Sequence, residues 1–434
     1  MAISDALSPP PPWLLMFSAT DHAQLRAAAK SAAKSLTDGA PPESVAPSLL
    51  PADAGGERLA VTAMDTTGLV EGLTAFVADV PSPRWTSGRA DSAATRTAWC
   101  FGGHGSQWPG MGRALLDMVP VAARILTELD RLLPGGVVEP LRTLADAESG
   151  GPETTQPLIF AVQVATARWL ESLGLRPAFV VGHSLGEAAA AHVSGALTLA
   201  EAAQVVAVRS RLLAQAGGGG AMATVGLDRR TTERRCAEIP GTVVVAAHSA
   251  PRETVVTGDG EATRALVGKL EAEGVRCRLI RISAASHSPF VDGVLPRMRA
   301  ALAGLAPTAP HTPWISTVDP APDPADLATA DYWARNLRQP VRYTQAAAAL
   351  ARRGVRAFVE IGPHPVLTRP TRDTLLAEHV SDPLVTASGH RGTPEPLTVL
   401  RLLGALQCRG LDLVAPQGRP DAPGPDREPV SGRG

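Results

Sequence analysis

Lysine is scarce in this 434-residue sequence, with only Lys30, Lys34 and Lys269, and 41 basic residues face 42 acidic ones for a net charge of −1. A chain without excess positive charge has no electrostatic case for binding nucleic acid or an anionic membrane surface. Cysteine is rare too. Cys100, Cys236, Cys277 and Cys408 are widely spaced and form no C-x-x-C pair, so no metal site is expected. Reduced core thiols in a cytoplasmic protein are the expected reading. No apolar run reaches about 18 residues, the length that would cross a bilayer. The opening Met1-Ala2-Ile3-Ser4-Asp5 lacks both the basic and the apolar segment of a signal peptide.

What is present suits a folded protein of two or three structural units. Hydrophobic residues make up 44% of the chain, enough for a sizeable core. Trp13-Leu14-Leu15-Met16-Phe17 reads as a buried strand, and a helix through Leu25, Ala29 and Leu36 follows. A second strand at Arg58 to Ala63 and a helix near Gly68 to Val77 complete a small α/β unit over residues 1–95. Pro81 to Arg96 reads as a polar connector. From Ala98-Trp99-Cys100-Phe101 onward, alternating strands and helices predict a parallel sheet with covering helices over 96–220 and 283–412. Between them, 221–282 reads βαββαβ, the order of a ferredoxin-like insert. Residues 413–434 are rich in Pro, Gly, Asp and Arg and read as a disordered tail.

One stretch carries the chemistry. Gly182-His183-Ser184-Leu185-Gly186-Glu187 reads G-x-S-x-G between the apolar Ala178-Phe179-Val180-Val181 and an alanine-rich helix. That context describes a nucleophile elbow, in which glycines permit a crowded turn and the serine hydroxyl sits at a helix N-terminus. The bland alternative is a chance match in a glycine-rich chain. A free hydroxyl is a weak nucleophile, so Ser184 needs a base. Of ten histidines, His287 stands out, just beyond the last strand of the insert, although a lone histidine is more often structural. Acyl chemistry at Ser184 would also need two N–H donors for an oxyanion. The N–H of Leu185 is one candidate. The glycine-rich turn Gly102-Gly103-His104-Gly105 supplies the other, unless it is only a loop.

Phe101-Gly102-Gly103-His104-Gly105-Ser106-Gln107-Trp108-Pro109-Gly110-Met111-Gly112 resembles the opening of polyketide synthase acyltransferase domains, relatives of malonyl-CoA:acyl-carrier-protein transacylases. Further blocks follow in order: the elbow with Glu187, Arg209-Ser210-Arg211, Val255 to Asp259, Ala285 to Pro289, Tyr332 to Leu337 and Glu360 to Pro365. The first 95 residues are similar to the linker between ketosynthase and acyltransferase domains. The resemblance implies an α/β-hydrolase-like core with the ferredoxin-like insert. It implies transfer of an acyl group from CoA or a carrier protein, through acyl-Ser184, to the phosphopantetheine thiol of an acyl carrier protein. His287 would be the base. Arg209 would bind the free carboxylate of a malonyl-type group; without the resemblance it would read as a solvated helix charge. No bound cofactor is implied. The expected partners are an acyl carrier protein and a polyketide synthase ketosynthase, with the protein itself monomeric.

Three positions depart from the family pattern. His104 replaces a glutamine, which leaves a backbone oxyanion contact intact. His248-Ser249 replaces Asn-Gly, so the substrate contact expected at position 248 is altered. Ala284-Ala285-Ser286-His287 has Ser286 of the methylmalonyl type but lacks the large side chain expected at 284, which makes room for a bulkier acyl group. A start methionine and a polar tail around one catalytic unit lead to the expectation of a discrete enzyme acting in trans, with an excised synthase piece as the alternative. Two other readings stay open: a hydrolase that edits stalled carrier proteins with the same Ser184 and His287, and an idle docking module.

Overall fold

The structure, a computed structural model, describes residues 12–47, 56–90, 96–143, 150–217, 220–280, 285–319 and 323–411. Ala284 and the tail expected at 413–434 lie outside the described residues.

Trp13–Ala19 (β1) and Glu57–Ala63 (β2) pair antiparallel, and Trp85–Arg89 (β3) pairs with the other edge of β2. Helices His22–Thr37 and Thr66–Val77 begin where Asp21 and Asp65 accept the N–H groups of Gln24 and Gly68, satisfying donors that the first turn leaves open. Residues alternate across the strands. Leu15, Phe17, Leu59 and Val61 pack with Leu25 and Leu69 of these helices, whereas Leu14, Met16 and Ala60 join the main core. Helix Glu395–Cys408 covers that second face. Both faces are therefore buried, which is why Trp13 to Phe17 of β1 reads as an unbroken apolar run. The strand β3 corrects the connector expected at Pro81 to Arg96. Its Trp-Thr-Ser-Gly-Arg sequence is only partly buried, and it forms because β2 offers it an unpaired edge.

The main body starts at Thr97–Phe101 (β4) and continues through Phe179–Gly182 (β5) to helices Gly186–Ser194 and Leu199–Gln215. The chain then builds Gly220–Val225 (β6), Val243–Ala250 (β7), Glu253–Asp259 (β8) and Cys277–Ile280 (β9), with helices Arg229–Ala237 and Gly260–Ala272 between them. These strands form an antiparallel sheet ordered β7-β8-β6-β9, the ferredoxin-like arrangement. Returning to the body, Trp314–Ile315 (β10), Ala357–Ile361 (β11) and Leu384–Ala387 (β12) complete a parallel sheet ordered β10-β5-β4-β11-β12. The expected α/β class, with a parallel core and a small inserted sheet, holds. Chain order reverses direction at β4, and such switch points leave a crevice at the carboxyl ends of the strands. No described helix is long and apolar enough to cross a membrane.

Gly404 lets helix Glu395–Cys408 lie against β2: a Cβ there would stand 2.6 Å from the Ala60 Cβ and 3.3 Å from Leu14 Cδ1. Alanine gains about 1 kcal/mol of helix propensity over glycine. Overpacking against a strand that cannot retreat costs about 1–3 kcal/mol, so the clash wins. Gly404→Ala is expected to lower the melting temperature in scanning calorimetry, and a rise would show that the contact is loose.

Candidate active site

Strand β5 runs directly into the elbow, and Ser184 sits at φ 55°, in the left-handed region that a non-glycine residue enters at a cost. The flanking glycines are required by space. A Cβ on Gly182 would stand 2.3 Å from the Glu187 nitrogen, and one on Gly186 would stand 2.0 Å from the Phe101 carbonyl oxygen. The strand, the helix and the turn of β4 are thus pressed together beneath the serine.

Ser184 Oγ lies 2.7 Å from His287 Nε2. On the far side of the ring, His287 Nδ1 is 2.8 Å from the Gln339 carbonyl oxygen. A carbonyl only accepts, so the neutral ring carries its proton on Nδ1 and turns the Nε2 lone pair toward the serine hydroxyl. The His287 backbone N–H donates to the Leu337 carbonyl at 2.9 Å, holding a residue whose own φ is 61°. Burial and then the Arg209 charge push the imidazole down to about 3, against the opposing pull of the Gln339 carbonyl. It is therefore a neutral, proton-accepting group at physiological pH.

Arg209 projects from helix Leu199–Gln215 and is 2% exposed. Its Nη2 donates to Ser184 Oγ at 2.8 Å and its Nη1 to Gln156 Oε1 at 2.6 Å. The Nε atom has no partner, and among the described residues no carboxylate pairs with this cation. Burial lowers it to about 10, which leaves it charged at neutral pH. An uncompensated buried guanidinium is costly unless a ligand anion completes it.

The N–H groups of His104 and Leu185 have no hydrogen-bond partner among the described residues. A Cβ on Gly103 would lie 3.8 Å from Ser184 Cβ, which puts the turn after β4 against the serine. The His104 ring reaches Thr155 Oγ1 at 2.9 Å. That hydroxyl donates to the Gly151 carbonyl, so His104 Nε2 is the donor in the pair. His104 is exposed on the lining of the cleft. Ser286 is half-buried beside His287.

His248 does not join them. It is buried on β7 with Nδ1 3.2 Å from Gln345 Nε2, and the charges that act on it are Arg229, Glu233 and Arg342 rather than Arg209. This corrects the substrate contact expected there: β7 turns position 248 toward helix Tyr343–Arg352, while its neighbour Ser249 lines the cleft. Sequence reasoning assigns no roles to Gln156, Asn336 and Gln339, each of which touches Arg209, Ser184 or His287. Asn336 falls within one of the family-like blocks, but nothing in its neighbours announces an inward-facing amide.

A cleft of about 1310 Å³ separates the parallel core from the small sheet. Gly103, His104 and His183 line it beside the elbow, and Arg252, Arg276 and Arg278 line the side of the small sheet.

The acyl transferase domain family matches residues 98–412 of the chain. The 5-methyl-1-naphthoate synthase of Streptomyces sahachiroi is 40% identical over 361 residues, covering 81% of this chain and 20% of that protein. The phthioceranic/hydroxyphthioceranic acid synthase of Mycobacterium tuberculosis is 38% identical over 354 residues, covering 77% of this chain and 16% of that protein. The chain thus spans a fifth or less of the length of these relatives. Among solved structures, the acyltransferase domain from module 8 of the salinomycin polyketide synthase superposes with a TM-score of 0.85 at 32% identity, covering 93% of this chain and 97% of that one. The MCAT of Streptococcus pneumoniae superposes with a TM-score of 0.64 at 25% identity, covering 71% and 100%.

Burial holds four histidines neutral in the fold, His183, His192 and His248 at about 4 and His287 at about 3. Unfolded, each takes a proton below about 6.5, so the unfolded state binds more protons and stability falls as pH drops from there. Glu187, Glu360 and Glu395 are raised by burial and act in the opposite sense, but they are fewer. The urea midpoint is expected to decrease steadily from pH 6.5 to pH 4. A flat profile would show that these rings are hydrated.

Proposed function

The chain belongs to the acyl transferase domain family, and on that premise we propose that this acyltransferase serves polyketide assembly, moving a carboxylated acyl group between thioesters through acyl-Ser184. The single observation that carries the reading is a buried guanidinium without a carboxylate partner, 2.8 Å from the nucleophile. A planar fork of donors beside the reacting oxygen suits a substrate carboxylate, bound away from water.

The first half-reaction follows from the hydrogen bonds. Ser184 Oγ attacks the thioester carbonyl carbon while His287 Nε2 takes its proton. The carbonyl oxygen gains charge opposite the free N–H groups of His104 and Leu185, donors already fixed in direction. When the C–S bond breaks, His287 returns the proton to the departing thiolate. In the second half the incoming phosphopantetheine thiol gives its proton to His287, sulfur attacks the acyl-serine, and Ser184 regains its hydrogen. The arginine-lined cleft suits the phosphate-bearing arm of CoA or of a carrier protein. Ala284, three residues before His287, supports the larger carboxylated groups within this class.

Intact mass after exposure to a malonyl thioester tests the reading. An adduct is expected on the native chain and none on Ser184→Ala; persistence in that variant defeats it. Arg209→Ala is expected to lose about 10²-fold in loading of carboxylated groups, since charge-assisted hydrogen bonds are worth roughly 1.5–3 kcal/mol each. Uncharged groups should lose far less, and equal losses would make Arg209 a structural residue. Adding a carrier protein with a free pantetheine thiol should yield acylated carrier. Release of free acid alone would instead identify an editing hydrolase.

A further inference from the structure

We propose that Glu187 is a positioning residue: its carboxylate fastens helix Ala330–Arg338 to the elbow and so sets the gap between Ser184 and His287. The inference rests on the assignment of nucleophile and base above.

Glu187 is fully buried on the first turn of helix Gly186–Ser194. Its Oε1 accepts the Thr317 N–H at 2.6 Å and lies 2.7 Å from the Thr317 hydroxyl. The same hydroxyl lies 2.9 Å from the Gly182 carbonyl oxygen, at the start of the elbow. Oε2 accepts the Tyr332 hydroxyl and, at 3.3 Å, the Asn336 amide. That amide also donates to the carbonyl of Ser184 itself at 3.1 Å. Asn336 therefore bridges the carboxylate and the strained residue.

The base hangs from the end of the same helix. Leu337 and Gln339, one and three residues beyond Asn336, give the carbonyls that hold the His287 backbone and ring. Ser184 is thus fixed from one end of a short rigid segment and His287 from the other. Any slip of helix Ala330–Arg338 against the elbow would change the Oγ to Nε2 distance directly.

A brace that served only stability would not need so many directional hydrogen bonds at one side chain. Buried ions are often no better than well-packed apolar residues, whereas directional partners fix one arrangement. The Thr317 N–H, the Tyr332 hydroxyl and the Asn336 amide donate to Glu187, while the single hydrogen of the Thr317 hydroxyl is shared between Oε1 and the Gly182 carbonyl.

The test is single-turnover acylation of Ser184 by a saturating malonyl thioester, with KM and melting temperature measured alongside. Glu187→Gln keeps the shape but sets an NH₂ group among donors. It is expected to slow acylation about 10–100-fold, the scale of a misplacement of about 1 Å, while KM stays within about twofold because Arg209 and the cleft are untouched. Asn336→Ala should cost a similar factor. The double variant should cost little more than either, because the two act as one link. Tyr332→Phe, which deletes one donor, carries the same test in a milder form should Glu187→Gln fail to fold. An unchanged rate in the folded variants, a rise in KM alone, or additive losses would overturn the inference. Ser184→Ala run in parallel separates the outcomes: an adduct there defeats the assignment of the nucleophile, and its absence beside normal Glu187→Gln kinetics defeats only this inference.

Discussion

The hydrogen bond from His287 Nδ1 to the Gln339 carbonyl sets the direction of the chemistry around it. It fixes the tautomer, and the tautomer decides which nitrogen faces Ser184. A carboxylate in the same place would do this and also stabilise an imidazolium. A neutral carbonyl does the first and opposes the depression of the ring only in part. Burial and the Arg209 charge therefore hold the imidazole well below its ordinary value, and the pair depends on placement more than on charge.

Two buried ionisable groups flank the elbow with opposite duties: Arg209 stays charged at neutral pH, whereas burial raises Glu187 to about 7. Arg209 stands on the reacting side with open hydrogen-bonding capacity at Nε. Glu187 stands behind the turn with donors on both oxygens. The fully bonded group belongs to the scaffold, and the one with an unpartnered Nε lies beside the nucleophile. Strain is arranged in the same way, since Ser184 and His287 both have positive φ and both are tied to helix Ala330–Arg338 or its end.

Much of this was legible in the chain. The elbow announces itself because few arrangements need a serine between two close glycines after a buried strand, and the βαββαβ order of 221–282 marks the inserted sheet. Arg209 became legible only through its block, because one arginine on an amphipathic helix looks like any solvated charge. Other features were not readable. β3 forms through the free edge of β2, a tertiary cause with no local signature. The facing of His248 could not be read because a strand residue's facing depends on register, and β7 has irregular pairing at 245/247 and 248/250. Gln339 acts through its carbonyl, which every residue has, so its side chain could give no hint.

The low basicity of His287 has a consequence for selectivity. After burial, its largest depressing influence is the Arg209 cation, and the same cation bonds Ser184, the residue His287 deprotonates on the proposed reading. On the proposed reading, a substrate carboxylate that pairs with Arg209 offsets that cation's field at His287. The ring then accepts a proton more readily at the moment the serine gives one up. An uncharged acyl group of the same size brings no such offset and meets a weaker base. Discrimination for the carboxylate would thus arise twice from one guanidinium, in ground-state binding and again in the barrier to attack. Only interactions stronger in the transition state raise the rate of the chemical step, and the second of these is of that kind.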